Sequence, residues 1–287
     1  MTPGIHTLPA ESYHADPAPT ASLSSSIAGI LLDQSPYHAW LAHPRLNPRY
    51  TREEADSRFD LGSVAHMMLL ERRTDRIVIV EANDWRTKAA KESREAAASE
   101  GKFAILARHF AAVEQMVIAA HQFIATTELA GILEEAEPER TVLWQEGDFW
   151  YRCRPDLLTL DRRICLDYKT TASAAPEAFA KQIGRMGYDL QSEFYRRGVN
   201  SLTGTEPAFV FLAQEIEPPF ACSLTSLSNA YRAVGEAKVE RARILWQKCL
   251  RANEWPSYTN QICYVEPKPW DLTQAEDQLP EPEGSEE

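Results

Sequence analysis

The sequence predicts a mixed α/β domain with helices added at its front, and three observations predict it. Apolar stripes at helical spacing fill the first part of the chain. From Glu139 the period changes to that of strands, through "ERTVLWQEGDFWYRCRPDLLTLDRRICLDYKTT". A helix, one more apolar strand and a last long helix follow. With 287 residues, 44% of them hydrophobic and 25% charged, the chain can bury a substantial core.

Residues 1 to about 20 are proline-rich and poor in large apolar side chains, so they read as an irregular arm. "SLSSSIAGILLDQSPYHAWLAHP" then offers a serine cap, an apolar helical stretch and a proline stop near Pro36. A second short helix is expected from Tyr37 to Leu41, its aromatics belonging to the core or to a nucleic-acid channel. "REEADSRFDLGSVAHMMLLE" predicts a further helix that turns Phe59, Ala65, Met68 and Leu69 inward, with Leu61 and Leu70 broadening the apolar surface. Gly62 and His66 are four apart and share a face, where glycine admits another segment close to the histidine. His66 is a metal ligand or a hydrogen-bonded core histidine.

A strand is expected at "RIVIV", then a long helix from Trp85 to about His121 with the stripe Phe103, Leu106, Phe110, Val113 and Val117. Lys88, Lys91 and Arg94 at its start guide a phosphate backbone or form an ordinary solvated face. Three strands joined by turns around Gly147 and Asp161 come next, then one helix through "APEAFAKQIGRMGYDLQSEFYRRG". "PAFVFLAQE" reads as a buried strand and "SNAYRAVGEAKVERARILWQKCLRANEW" as the closing helix. No linker or repeat divides this stretch. Residues 21–272 are therefore expected as one domain, followed by an acidic flexible tail at 273–287.

Composition excludes some functions. The net charge is −12, and the last twelve residues, "EDQLPEPEGSEE", carry six of the acidic groups. Bulk attraction to nucleic acid is disfavoured, while a local basic surface is not. Cys153, Cys165, Cys222, Cys249 and Cys263 form no C-x-x-C pair, which suggests reduced thiols in an intracellular protein. No apolar run approaches the roughly 20 residues needed to span a membrane. The opening lacks the basic start and apolar stretch of a secretion signal. No G-x-x-x-x-G-K-[ST] loop is present, so no ATP-driven motor is expected.

The chemistry concentrates in "RPDLLTLDRRICLDYKTT". If Asp161 and Arg162 form a two-residue turn, Leu160 pairs with Arg163 and Asp156 faces Asp167, about 4.5–5.5 Å apart at Cβ. Two bare carboxylates at that distance repel, and a divalent cation between them turns them into a ligand set. A different turn length would shift this register. Strand period sends Asp167 and Lys169 to one face, and Ile164, Leu166 and Tyr168 to the other. Hard oxygen ligands favour Mg²⁺ or Mn²⁺, which polarises a phosphodiester and activates water. Lys169 would orient that water or stabilise charge at phosphorus. The plainer reading is a surface salt bridge.

The next helix has the stripe Phe179, Ile183, Met186, Leu190 and Phe194. Gln191 and Tyr195 lie four apart on an adjacent face, with Gly184 and Tyr188. They hold phosphate or water, or make interhelical hydrogen bonds. Glu139 offers another carboxylate, although Glu134, Glu135 and Glu137 crowd it. Asp148 belongs to the turn at Gly147.

The stretches "SSSIAGILLDQSPYHAW", "FDLGSVAHMMLLE", "YRCRPDLLTLDRRICLDYKTT" and "YDLQSEFYRRG", from about residue 22 to 198, resemble the RecE-like exodeoxyribonuclease VIII domain of phages and prophages. That group belongs to the PD-(D/E)XK superfamily. The resemblance implies a restriction-endonuclease-like core, a central mixed sheet flanked by helices. It implies that His66 is a metal-site histidine, Asp156 and Asp167 metal-binding carboxylates and Lys169 the catalytic lysine. Gln191 and Tyr195 match the family's Gln-x-x-x-Tyr pair near DNA, and Glu139 is a less secure active-site position. The implied reaction is Mg²⁺-dependent digestion of linear double-stranded DNA, 5′ to 3′ and without ATP, leaving a 3′ overhang for a single-strand annealing protein and recombination. A ring-forming homo-oligomer, with a tetramer favoured, in the cytoplasm of a bacterial or phage-infected cell is also implied. Iron–sulfur nucleases share much of this layout but hold clustered cysteines, which this chain lacks. A restriction-like endonuclease and a catalytically silent DNA-binding recombination scaffold are the other readings.

Overall fold

Ser24 and Ser35 each accept a backbone N–H three residues on, from Ile27 and His38, and so begin two helices. Pro36, expected as a stop, is the first residue of the second helix, where its missing N–H costs nothing. The computed structural model describes residues 1–51 and 61–272. In order, the chain forms β1 (Gly4–Thr7), α1 (Ala10–His14), β2 (Ser22–Leu23), α2 (Ser25–Asp33) and α3 (Pro36–Ala42). Next come α4 (Leu61–His66), continued by a π-helical turn over Met67–Glu71, then β3 (Ile77–Val80), α5 (Lys88–Ser99), β4 (Phe103–Leu106) and α6 (Ala107–Ala125). The middle holds α7 (Ile132–Glu135), β5 (Ala136–Pro138), β6 (Arg140–Glu146), β7 (Phe149–Cys153), β8 (Leu157–Thr159) and β9 (Ile164–Thr171). It ends with α8 (Pro176–Arg185), α9 (Tyr188–Thr203), β10 (Ala208–Glu215), β11 (Cys222–Thr225) and α10 (Asn229–Ala252).

Two sheets make the frame. A five-stranded mixed sheet runs β11-β10-β9-β8-β5, and a four-stranded sheet runs β1-β6-β7-β2. Strands β9 and β10 are parallel, from Ala208 against Ile164 to Glu215 against Thr171, and α8 and α9 form the crossover between them. Both strands are covered on two faces, and their alternate residues feed different cores. Cys165, Phe209, Phe211 and Ala213 join Trp144, Tyr151, Phe179, Phe194 and Trp246. Leu166, Tyr168 and Leu212 join Val64, Leu69, Ile105 and Met116 on the other side.

Helices α9 and α10 approach closely because Gly235 has no side chain. A Cβ there would lie 2.5 Å from the Asp189 carbonyl oxygen. Lys238 Nζ meets the buried Asp189 Oδ2 at 2.6 Å across the same contact.

Several expectations are corrected. The first twenty residues are not irregular: β1 pairs antiparallel with β6, Gly4 opposite Leu143, and Tyr13 and Ala18 are buried. Asp16 anchors the segment. Its carboxylate accepts from Ser22 N–H at 2.8 Å and Ser22 Oγ at 2.6 Å, and stands 3.4 Å from both His43 Nε2 and Arg152 Nη1. The single helix expected over Trp85–His121 is two helices separated by Gly101, at φ +66°, and strand β4, whose parallel partner is β3. Phe103 and Leu106 thus belong to a strand. The helix after the hairpin divides at Gly187, at φ +70°, which leaves Met186 exposed instead of in the stripe. The three strands expected from Glu139 onward are four, β6 to β9, shared between both sheets, with β5 just before them.

By its internal contacts the chain forms a compact unit that runs from Met1 to Pro256, where 21–272 was expected, and a second unit that begins at Ser257. Within the second, Lys268 Nζ lies 5.0 Å from the Trp270 ring. Phe59 and the acidic tail 273–287 lie outside the described residues.

Candidate active site

His66 is the last residue of α4, whose Gly62, Val64 and Ala65 are buried. Its Nε2 stands 3.2 Å from Glu139 Oε1 and 3.5 Å from Asp156 Oδ2, and its Nδ1 lies 3.8 Å from Glu71 Oε1. Glu139 occupies the link between β5 and β6 at φ +56°, a conformation uncommon outside glycine. It is fixed there by its N–H, which donates to the Asp156 carbonyl at 3.0 Å, and by Arg154 Nε, 2.6 Å from its Oε2. Among the described residues, His66, Glu139 and Asp156 form a group whose donor atoms lie within 4.8 Å of one another.

The hairpin has the register that a two-residue turn requires. Leu157 pairs with Leu166 and Leu158 with Cys165, so the next step outward sets Asp156 against Asp167. The Tyr168 N–H donates to Asp156 Oδ2 at 2.8 Å. Asp167 is fully buried, with Lys169 Nζ 2.5 Å from Oδ2 and Gln191 Nε2 donating to Oδ1 at 2.6 Å. Lys169 Nζ also lies 5.1 Å from the Tyr188 ring centroid, a cation–π contact from the first residue of α9.

The charges explain one another. Burial would lower the His66 pKa, but the Asp156 carboxylate, then Glu139 and Glu71, outweigh it and raise it to about 9. Burial, then repulsion from Asp156, lifts Glu139 to about 7 against the pull of Arg154 and His66. Asp167 is raised by burial and by Asp156, with Lys169 opposing. Asp156 itself is lowered: His66 and Lys169 overcome its burial. Two carboxylates crowded against one imidazole, all three largely buried, favour an added positive charge. Hard oxygens with an imidazole fit Mg²⁺ or Mn²⁺.

An open cleft of about 1100 Å³ contains His66, Glu139, Arg154, Lys169 and Tyr188. Gln191 reaches this centre through Asp167, whereas Tyr195 does not line the cleft: it is 7% exposed, in the core, edge-on to Phe209 at 5.9 Å. Lys88, Lys91 and Arg94 lie on α5 and do not line the cleft either; Lys88 pairs with Glu92 at 3.6 Å, and Arg94 covers the Trp85 ring. The arginines that do line it are Arg73, Arg76 and Arg154. Arg154 was legible in principle, since it stands two residues before Asp156 in an extended segment. The run "ERRTDR" was the only sequence sign of the other two.

A mixed sheet flanked by helices, with Pro155-Asp156 leading into β8 and Asp167-Tyr168-Lys169 on the facing β9, defines a PD-(D/E)XK-like domain. The chain belongs to the family described as PDDEXK-like domain of unknown function (DUF3799), whose model matches residues 32–268. Among solved structures, a crystal structure from Eubacterium rectale described as "Putative exonuclease" shares the fold with a TM-score of 0.59 at 13% identity, over 93% of this chain and 98% of that one. A second, of SSO0001, is 14% identical over 70% of this chain and 99% of its own, with a TM-score of 0.27. No curated protein matches the sequence.

Proposed function

We propose that the protein is a metal-dependent, ATP-independent exodeoxyribonuclease that degrades linear duplex DNA 5′ to 3′ and leaves 3′ single-stranded overhangs for recombination. One observation carries this reading: His66 and Glu139, which line the cleft together with Lys169, the partner of Asp167, converge with Asp156 within 4.8 Å. His66, Glu139 and Asp156 would hold Mg²⁺ or Mn²⁺, with Asp167 facing Asp156 across the hairpin. Such an ion, when bound, polarises a phosphodiester and acidifies a water.

The chain's own groups do the rest. Lys169 brings a fixed positive charge to the reacting phosphate or to the attacking water. Gln191 and Lys169 hold Asp167 from opposite oxygens, and Arg154 holds Glu139, so the ligand side chains are oriented before substrate arrives. Arg76, which forms no ion pair among the described residues, adds positive charge to the cleft, against a net charge of −12 for the whole chain.

The resemblance noted from the sequence supports DNA, the polarity, a ring-forming homo-oligomer with a tetramer favoured, an annealing partner, and the cytoplasm of a bacterial or phage-infected cell. No described helix is long and apolar enough to cross a membrane. The test is a Mg²⁺-dependent assay on 5′-labelled linear and on closed circular duplex DNA. Label released from linear DNA alone is expected. Linearised circles would replace the exonuclease with an endonuclease, and binding without cleavage would leave a DNA-binding scaffold.

A further inference from the structure

We propose that Phe103 and Arg76 form a stacking subsite for one unpaired nucleobase of the substrate, an inference that rests on the nuclease reading above. Phe103 opens β4, and the three residues after it, Ala104, Ile105 and Leu106, are buried. Strand period sets Phe103 in one row with Ile105, which is fully buried in the core beneath α4 and α6. One step earlier the row leaves that core. The Phe103 ring emerges 37% exposed, in the same cleft as His66, Glu139 and Lys169.

The ring is held in a defined frame. The Arg76 guanidinium lies 5.2 Å from its centroid. Arg76 Nε and Nη2 both donate to the Gly101 carbonyl, at 3.1 and 2.8 Å, and the Phe103 N–H donates to the Arg76 carbonyl at 2.7 Å. The turn at Gly101, with φ +66°, brings these groups together. Among the described residues no carboxylate is ion-paired to Arg76, whereas neighbouring Arg73 is committed to Asp75 at 2.8 Å. Among the described residues the Arg76 guanidinium is thus engaged by a ring and a carbonyl, without an ion pair.

A cleft that bound only phosphates would need charge and no aromatic face. A rigid ring backed by a planar cation, open to water within a polar cleft, is instead suited to a flat π surface. Inside a duplex both faces of a base are already stacked and a free face exists only at an end, so the ligand is a terminal base, lifted from its pair at the strand being digested.

The experiment measures binding of short duplexes with a single-stranded end, Ca²⁺ replacing Mg²⁺, with a normal or an abasic nucleotide at each of the terminal positions in turn. For the wild type one abasic position should weaken binding by about tenfold. Phe103→Ala should lose about tenfold on normal DNA and nothing further on DNA abasic at that position, while Phe103→Trp keeps the wild-type pattern. Phe103→Leu retains apolar bulk without the ring, guards against a folding defect, and should behave as Phe103→Ala. An equal loss on every DNA, or no loss, overturns the subsite. A wild-type protein that cuts no DNA with Mg²⁺ defeats the nuclease reading instead, so the two failures are distinct.

Discussion

Gln191 donates its amide to Asp167 across 2.6 Å and so ties helix α9 to strand β9 at the centre of the site. This bond orients a buried carboxylate without adding charge to it. Gln191→Ala should lower kcat by about 10–100-fold, the usual cost of losing an outer partner of a ligand, with the far-UV spectrum unchanged. Gln191→Glu sets another acid against Asp167 and should fall lower still. Steady-state kinetics in Mg²⁺ measure both, and an unchanged kcat in Gln191→Ala would show the bond to be structural only.

Lys169→Ala should cost about 10²–10⁴-fold in turnover while the protein stays folded. Burial and Asp156 already push the Asp167 pKa up, so Asp167 can take a proton when its ammonium partner is gone. Single-turnover cleavage together with a thermal melt separates the two effects. Full activity in this variant, or in Asp167→Ala, removes the assigned chemistry.

The metal-free centre should weaken the fold as pH rises. Glu139 titrates at about 7 in the folded chain against 4.5 ordinarily, so between those values the unfolded chain loses the proton first and stability falls. His66 acts with the same sign: its contribution is whole below 6.5 and is lost as pH rises through about 9. Urea melts in EDTA should therefore show a decline over this window that is smaller in His66→Gln. Mn²⁺ should stabilise the wild type more at the alkaline end, because binding must displace these protons. Identical pH profiles for wild type and His66→Gln would contradict the geometry.

Asp16→Ala should destabilise the fold by about 3–5 kcal/mol, since it leaves the buried Arg152 guanidinium without its carboxylate. The measurement is the urea midpoint at neutral pH. A loss within experimental error would mean that Ser22 alone satisfies the Arg152 guanidinium and that Asp16 does not anchor the segment.

Gly235→Ala should cost about 1–3 kcal/mol. The added methyl meets backbone, the Asp189 carbonyl at 2.5 Å, and backbone cannot rotate aside as a side chain can. Because Asp189 and Gln191 share one helix, kcat should fall along with the denaturation midpoint.

The hairpin was legible because two local rules suffice for it. The register equals that of a two-residue turn, although the chain turns one residue earlier, with the Arg162 N–H donating to the Thr159 carbonyl at 2.9 Å, and strand parity puts Asp167 with Lys169. Glu139 could not be singled out from Glu134 and Glu137. The fold separates them: Glu134 pairs with Arg72 and Glu137 with Arg140 and Arg162, while Glu139 alone of the three turns toward His66. Residues 103–106 were misread because Phe103 and Leu106 also fit a helical stripe. What makes them a strand is Ile77–Val80, a partner that no local window contains. The same holds for Gly4–Thr7, whose partner lies at Arg140–Leu143.

The side chains of the centre come from positions 66, 139, 156, 167, 169 and 191, and Gln191 belongs to a crossover that closes only when β10 has joined β9. A chain emerging from the ribosome exposes its histidine long before the strand that completes this crossover exists. On the function proposed above, a half-synthesised copy would lack Gln191 and the strand that closes its crossover, and so would carry an unfinished centre.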